Sequence, residues 1–111
     1  MNSQKYDCIL IDDDILVHMT WKMVARQKGI SLFVASSKAE LESVASEQVC
    51  YDSTPVYIDS SLAHGIKGED LARELFERGF RNIYLATGYP PEHFGPMPWI
   101  KAIVGKEPPW V

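Results

Sequence analysis

Five short apolar runs, each delivering a polar residue at its end and separated by stretches with helical spacing, constrain this chain more than any other feature. Residues 8–11 (Cys8, Ile9, Leu10, Ile11) form a continuous apolar run that stops at Asp12, Asp13 and Asp14. Such a run reads as a strand buried on both faces. Asp14 can cap a helix over residues 15–28, where Leu16, Met19 and Met23 recur at helical spacing, and Gly29 closes it. That stripe is expected to face the sheet as core. Residues 30–35 give a second strand, and Ser37 with Glu40 three residues later makes a capping box for a helix reaching about residue 46. Residues 55–58 form a third buried strand that again ends at an aspartate, Asp59. A loop over 60–67 precedes a helix over 68–78, with Leu71, Ala72, Leu75 and Phe76 on one face and Gly79 at its end. Residues 82–86 make a fourth strand that leads to Thr87 and Gly88. Pro90, Pro91, Pro96 and Pro98 then allow at most one helical turn near residues 92–94. A fifth strand over 101–104 leads to Gly105 and Lys106.

Strands alternating with helices predict an α/β fold: a doubly wound, five-stranded parallel sheet with right-handed crossovers and helices on both faces. With 111 residues and 46% apolar content, one domain spanning residues 1–111 is expected. Ligands on such sheets bind beyond the carboxyl ends of the strands. Asp12, Asp13, Asp59, Thr87 and Lys106 all fall on that rim. Carboxylates gathered there repel by about 4 kcal/mol per pair at about 4 Å and an effective dielectric near 20, so a cation is expected. Mg²⁺ suits them, being a hard ion that takes oxygen ligands and commonly bridges carboxylate to phosphate. A carboxylate beside it can attack phosphorus in line, with the Lys106 ammonium neutralising the equatorial oxygens and the Thr87 hydroxyl bonding one of them.

Composition narrows the function further. The balance of 15 acidic to 11 basic residues, a net charge of -4, offers no basic stripe for nucleic acid. No signal peptide and no run of about 20 apolar residues is visible, so a cytoplasmic location without membrane contact is expected. Cys8 and Cys50 lack metal or redox spacing and read as inert thiols. His18, His64 and His93 share no metal spacing, and packing or solvation is the expected role of each.

The ordered set of residues resembles the response-regulator receiver domains of bacterial two-component systems over essentially the whole chain. Ile9-Leu10-Ile11-Asp12-Asp13-Asp14 is similar to the family's first strand and acid pair; Val56-Tyr57-Ile58-Asp59 to its phosphoacceptor strand; Leu85-Ala86-Thr87-Gly88 to its switch-threonine segment; and Lys106 with a nearby proline to its Lys-Pro ending. Gly68 stands nine residues after Asp59, where the family usually has glycine. The resemblance implies a flavodoxin-like strand order of 2-1-3-4-5, and Mg²⁺ held by Asp12, Asp13, Asp59 and the backbone carbonyl of Ser61. It implies phosphoryl transfer to Asp59 from a histidine kinase or phosphotransfer protein, a switch through Thr87 and Lys106, and slow self-hydrolysis tuned by Ser61 and Tyr89. Such a chain is a self-phosphorylating phosphoacceptor rather than a turnover enzyme.

Departures from the family are equally specific. Ile103 stands where the family usually has the aromatic that moves with the switch threonine. The fourth helix is expected to be shortened and the fifth to be absent. Sheet surface left bare by the fifth helix would be hidden by a second copy or an adjoining domain, with Trp99 and Trp110 as partial cover. Two other readings stand beside the receiver. One is a pseudo-receiver that binds protein without phosphotransfer. The other is a haloacid-dehalogenase-like phosphatase fragment, because the first strand followed by Asp12-Asp13-Asp14 also resembles that family's Asp-x-Asp motif. That second reading lacks an acidic pair after Lys106 and leaves Asp59 without a task.

Overall fold

The computed structural model describes residues 5–44 and 46–110. Its strands are β1 (Cys8–Ile11), β2 (Leu32–Ala35), β3 (Val56–Asp59), β4 (Ile83–Ala86) and β5 (Ala102–Val104). They pair in parallel, in the order β2-β1-β3-β4-β5. Each strand is three or four residues long. β1 and β3 are buried throughout, as central strands of a parallel sheet covered on both faces must be.

Helix α1 (Ile15–Lys28) crosses one face, while α2 (Lys38–Leu41) and α3 (Gly68–Glu77) cover the other. The side bearing α2 and α3 carries the larger core, built from Ile9, Ile11, Val56, Ile58 and Ile83 against Leu41, Leu71 and Leu75. The opposite side is packed by Cys8, Leu10, Trp21, Tyr57 and Ala86. Burial there pushes the Cys8 thiol up to about 12, which makes it inert at neutral pH. No helix among the described residues is long and apolar enough to cross a membrane.

Local signals set the ends of α1. The Asp14 carboxylate accepts from the Leu16 amide at 2.9 Å, and Gly29 adopts the left-handed conformation, φ 69°, that ends the helix. The rotation of α1 is not the expected one. Ile15, Leu16, Met19 and Met23 are 65%, 67%, 60% and 57% exposed, whereas His18, Trp21 and Ala25 face the sheet. Both stripes, 16/19/23 and 18/21/25, have the same i, i+3, i+7 spacing, so periodicity cannot choose between them. Contacts made by the bulky Trp21, described below, decide the matter. Met19→Ser and Met23→Ser are each expected to change unfolding free energy by less than about 0.5 kcal/mol. Trp21→Ala is expected to cost about 3–5 kcal/mol. Urea denaturation measures all three, and a loss above about 2 kcal/mol at Met19 would put the outer stripe back in the core.

Helix α2 is also shorter than its capping box suggests. Ser37 accepts from the Glu40 amide and Glu40 accepts from the Ser36 amide, so the start is capped. The end then tightens, with the Ser43 amide bonded to the Glu40 carbonyl, the Val44 amide to the Leu41 carbonyl, and the Ser43 hydroxyl to the Glu40 carbonyl at 2.6 Å. Bonds of the i→i−3 type together with a competing side-chain bond end the helix before residue 45, which lies outside the described residues.

Beyond β4 the proline-rich segment forms one 3₁₀ turn, Pro91–His93, in place of a full fourth helix. No helix follows β5 among the described residues. On the side expected to be bare, Tyr84, Val104 and Trp110 are only partly buried. Tyr57 and Tyr84 stack at 4.8 Å, and Trp110 meets Trp21 edge-on at 5.4 Å. Trp99 lies on the opposite side of the sheet, against α3, donating from Nε1 to the Glu69 carbonyl at 3.2 Å with Arg73 over its ring.

Candidate functional site

The carboxyl ends of β1, β3, β4 and β5 place their following residues along one edge of the sheet. Asp12 follows β1, Asp59 ends β3, Thr87 follows β4 and Lys106 lies two residues past β5. Carboxylate oxygens of Asp12, Asp13 and Asp59 lie within 4.8 Å of one another. Asp12 and Asp59 are buried, while Asp13 faces solvent. The Lys106 ammonium bridges the group, at 2.9 Å from Asp59 Oδ1 and 3.3 Å from Asp12 Oδ2.

The electrostatics follow from that crowding. Burial raises the Asp12 carboxyl above the usual carboxylate range, opposed by the hydrogen bond it accepts from the Asp14 amide, and the charge of Asp59 raises it further. Burial pulls the Lys106 ammonium down, but its contacts with Asp59 and Asp12 outweigh this and hold it above the ordinary lysine range. It is therefore a fixed positive charge at neutral pH. His18, on α1, places its ring Nε2 against the Asp12 carbonyl and helps fix the turn that carries the acids.

The neighbouring hydroxyls form a second part of the site. β3 and β4 pair with Asp59 opposite Ala86, which sets Ser60 beside Thr87. Their hydroxyls are hydrogen-bonded at 2.8 Å, and Thr87 Oγ1 also accepts from the Tyr89 amide at 3.1 Å. Ser60 is a site residue that the strand-end reading missed; its only sequence signal is the register that follows from aligning Asp59 with Ala86. Ser61 is exposed and bridges in antiparallel fashion to Lys67. Tyr89 is exposed as well and stacks on His93 at 4.3 Å. Ile103 pairs with Leu85 and is partly buried, so the side chain at this position of β5 is aliphatic.

Gly68 lies against the backbone at the end of β3. Its amide donates to the Ser60 carbonyl at 3.0 Å, and a Cβ there would stand 1.8 Å from the Asp59 carbonyl oxygen. Glycine is thus required by the close approach of α3 to the end of β3.

The donors suit a hard divalent cation. They are carboxylate oxygens from three residues, two of them buried, and the charge repulsion felt by Asp12 is what a cation would relieve. Lys106 supplies part of that compensation itself.

No protein-family model matches the sequence, and no curated protein matches it. Among solved structures, the chain is similar to the receiver (REC) domain of the PhyR response regulator of Erythrobacter litoralis, determined by solution NMR. The two share 20% identity with a TM-score of 0.63, over 89% of this chain and 78% of that one. With the same strand order expected of that family and an acidic group at the carboxyl edge of the sheet, this chain has the fold of a response-regulator receiver domain.

Proposed function

We propose that this chain is a phosphoacceptor module of a two-component system, in which Asp59 takes a phosphoryl group from the phosphohistidine of a kinase or phosphotransfer protein. The observation that carries this reading is the Lys106 ammonium, held between Asp59 and Asp12 within a cluster of three carboxylates. A structural ion pair needs one carboxylate, whereas a phosphoryl group arriving at Asp59 needs a cation on each side of its oxygens. Asp12, Asp13, Asp59 and the Ser61 carbonyl would hold Mg²⁺, which when bound supplies charge neutralisation to phosphoryl oxygens.

In the transfer, a carboxylate oxygen of Asp59 attacks phosphorus in line as the P–N bond to the donor imidazole breaks. The departing ring nitrogen retains the bonding electrons and is protonated. Lys106 stabilises negative charge on the equatorial oxygens, and the Thr87 hydroxyl exchanges its Ser60 partner for a phosphoryl oxygen. This exchange would move the residues after β4 and make phosphorylation legible to a partner. Ser61 and Tyr89, both exposed, would govern access of water to the acyl phosphate and thereby its lifetime. A cytoplasmic setting suits this chemistry.

Intact mass after incubation with a small acyl-phosphate donor and Mg²⁺ tests the proposal. One phosphoryl group is expected on the wild type, and none on Asp59→Asn or in a magnesium-free control. A folded wild type that binds Mg²⁺ but gains no mass from either the small donor or a phosphohistidine protein would overturn it. A folded wild type that fails even to bind Mg²⁺ would favour the pseudo-receiver, a reading supported by the replacement of the fourth helix by a single 3₁₀ turn.

A further inference from the structure

Lys106 belongs to no helix or strand, and it follows an exposed glycine two residues after the three-residue β5. Its ammonium nevertheless reaches two carboxylates. A lysine side chain has several rotatable bonds, so its backbone must be anchored for the tip to stay in one place. The anchor lies on α1. Trp21 is fully buried, and its indole Nε1 donates to the Lys106 carbonyl at 2.8 Å, a bond between residues 85 apart in sequence. Two rings hold the indole itself: Tyr57 from the sheet at 5.3 Å and Trp110 from the tail at 5.4 Å, both edge-on. Pro108, between Lys106 and Trp110, is buried as well.

We propose that Trp21, locked by Trp110, is a positioning residue that pins the Lys106 carbonyl and so aims the Lys106 ammonium at the phosphoryl oxygens on Asp59. The segment from Lys106 to Trp110 then does two things with one packing arrangement: it lays Trp110 on the sheet face where no helix follows β5 among the described residues, and it fixes the backbone that carries Lys106. This inference rests on the phosphoacceptor reading, because the ammonium is aimed at a transferring group. Neither aromatic touches the reacting atoms. Their influence passes through Lys106 alone.

The test compares rates of phosphoryl incorporation by intact mass for wild type, Trp21→Phe, Trp110→Ala and Trp110→Phe at varied acyl-phosphate donor and saturating Mg²⁺. Trp21→Phe retains a ring but removes the N–H donor. It is expected to lower the maximal rate about 10-fold, as for a reacting group displaced by a fraction of an ångström, with the half-saturating donor concentration unchanged. Trp110→Ala should show the same loss, and Trp110→Phe should restore most of the rate. On a Lys106→Ala background, Trp21→Phe should have no further effect. An equal loss on that background would show that Trp21 acts through general stability and would overturn the proposal, as would a wild-type rate in Trp21→Phe.

A second readout is independent of transfer. The ¹H–¹⁵N signal of the Lys106 ammonium should be ordered and slowly exchanging in the wild type and lost in folded Trp21→Phe, with folding checked by near-ultraviolet circular dichroism. An unchanged ammonium signal overturns the positioning proposal. Loss of that signal in Trp21→Phe, together with a wild type that takes up no phosphoryl group, would overturn the phosphoacceptor reading while leaving the anchor of Lys106 in place.

Discussion

Lys106→Ala is expected to slow phosphoryl incorporation at Asp59 by about 10²-fold, the typical consequence of removing one preorganised charge from a transition state. The ammonium stands 2.9 Å from Asp59 Oδ1 and 3.3 Å from Asp12 Oδ2, in direct contact with both buried carboxylates. Magnesium binding should survive the substitution, because the carboxylates of Asp12, Asp13 and Asp59 are untouched. The variant should therefore retain Mg²⁺-dependent thermal stabilisation while losing rate. A further signature follows from charge balance. Without Lys106, two buried carboxylates lose their permanent counterion, so the metal-free variant should be the less stable protein and saturating Mg²⁺ should narrow its deficit. Time-resolved intact mass and thermal unfolding with and without Mg²⁺ measure both effects. A rate within threefold of wild type, a margin well below the ~10²-fold expected of such a charge, would show that Lys106 serves only as a structural counterion.

Gly68→Ala is expected to be the most damaging single-methyl change in the chain. The added carbon would stand 1.8 Å from the Asp59 carbonyl oxygen, 2.7 Å from its carbon and 2.9 Å from the Ser60 Cα. All three neighbours are backbone atoms of the segment that positions Asp59, so no side chain can rotate away to make room. Either α3 withdraws from β3, opening the contact between Leu71 and Leu75 and the larger core, or the end of β3 shifts and carries Asp59 with it. Overpacking of this kind costs about 3 kcal/mol or more. For a domain of this size that corresponds to a fall of roughly 12 °C or more in Tm. Thermal unfolding followed by circular dichroism reads the first effect. Phosphoryl incorporation below the melting transition reads the second and is expected to fall as well. A Tm within about 3 °C of wild type would show that α3 does not approach β3 as closely as described.

Short-range chemistry accounts for what was legible in the amino-acid order. Apolar runs that stop at Asp12 and Asp59 mark central parallel strands because both faces of such strands must be buried, and the alternation with helices leaves little choice of topology once crossovers are right-handed. The cap at Asp14 and the left-handed Gly29 are decided by groups within a few residues of each other. The rim of Asp12, Asp13, Asp59, Thr87 and Lys106 follows from strand ends alone, since every strand of a parallel sheet delivers its next residue to the same edge.

Tertiary packing decided the remainder, wherever two local solutions were equally good. Two stripes of α1 share one spacing, and the inner one was selected by a hydrogen bond from Trp21 to a carbonyl 85 residues away and by the His18 contact with the Asp12 carbonyl. Trp99 and Trp110, both reasonable covers for the sheet by composition, went to opposite faces because one finds a partner carbonyl on α3 and the other finds the ring of Trp21. Ser60 became the partner of Thr87 through strand register. The amino-acid order by itself determined the α/β architecture and the edge at which chemistry is placed, because periodicity, capping and chain handedness act locally. Only the folded structure decided which face of α1 is buried, what covers the sheet beyond β5 and how Lys106 is held against Asp59, because those outcomes depend on contacts between segments distant in sequence.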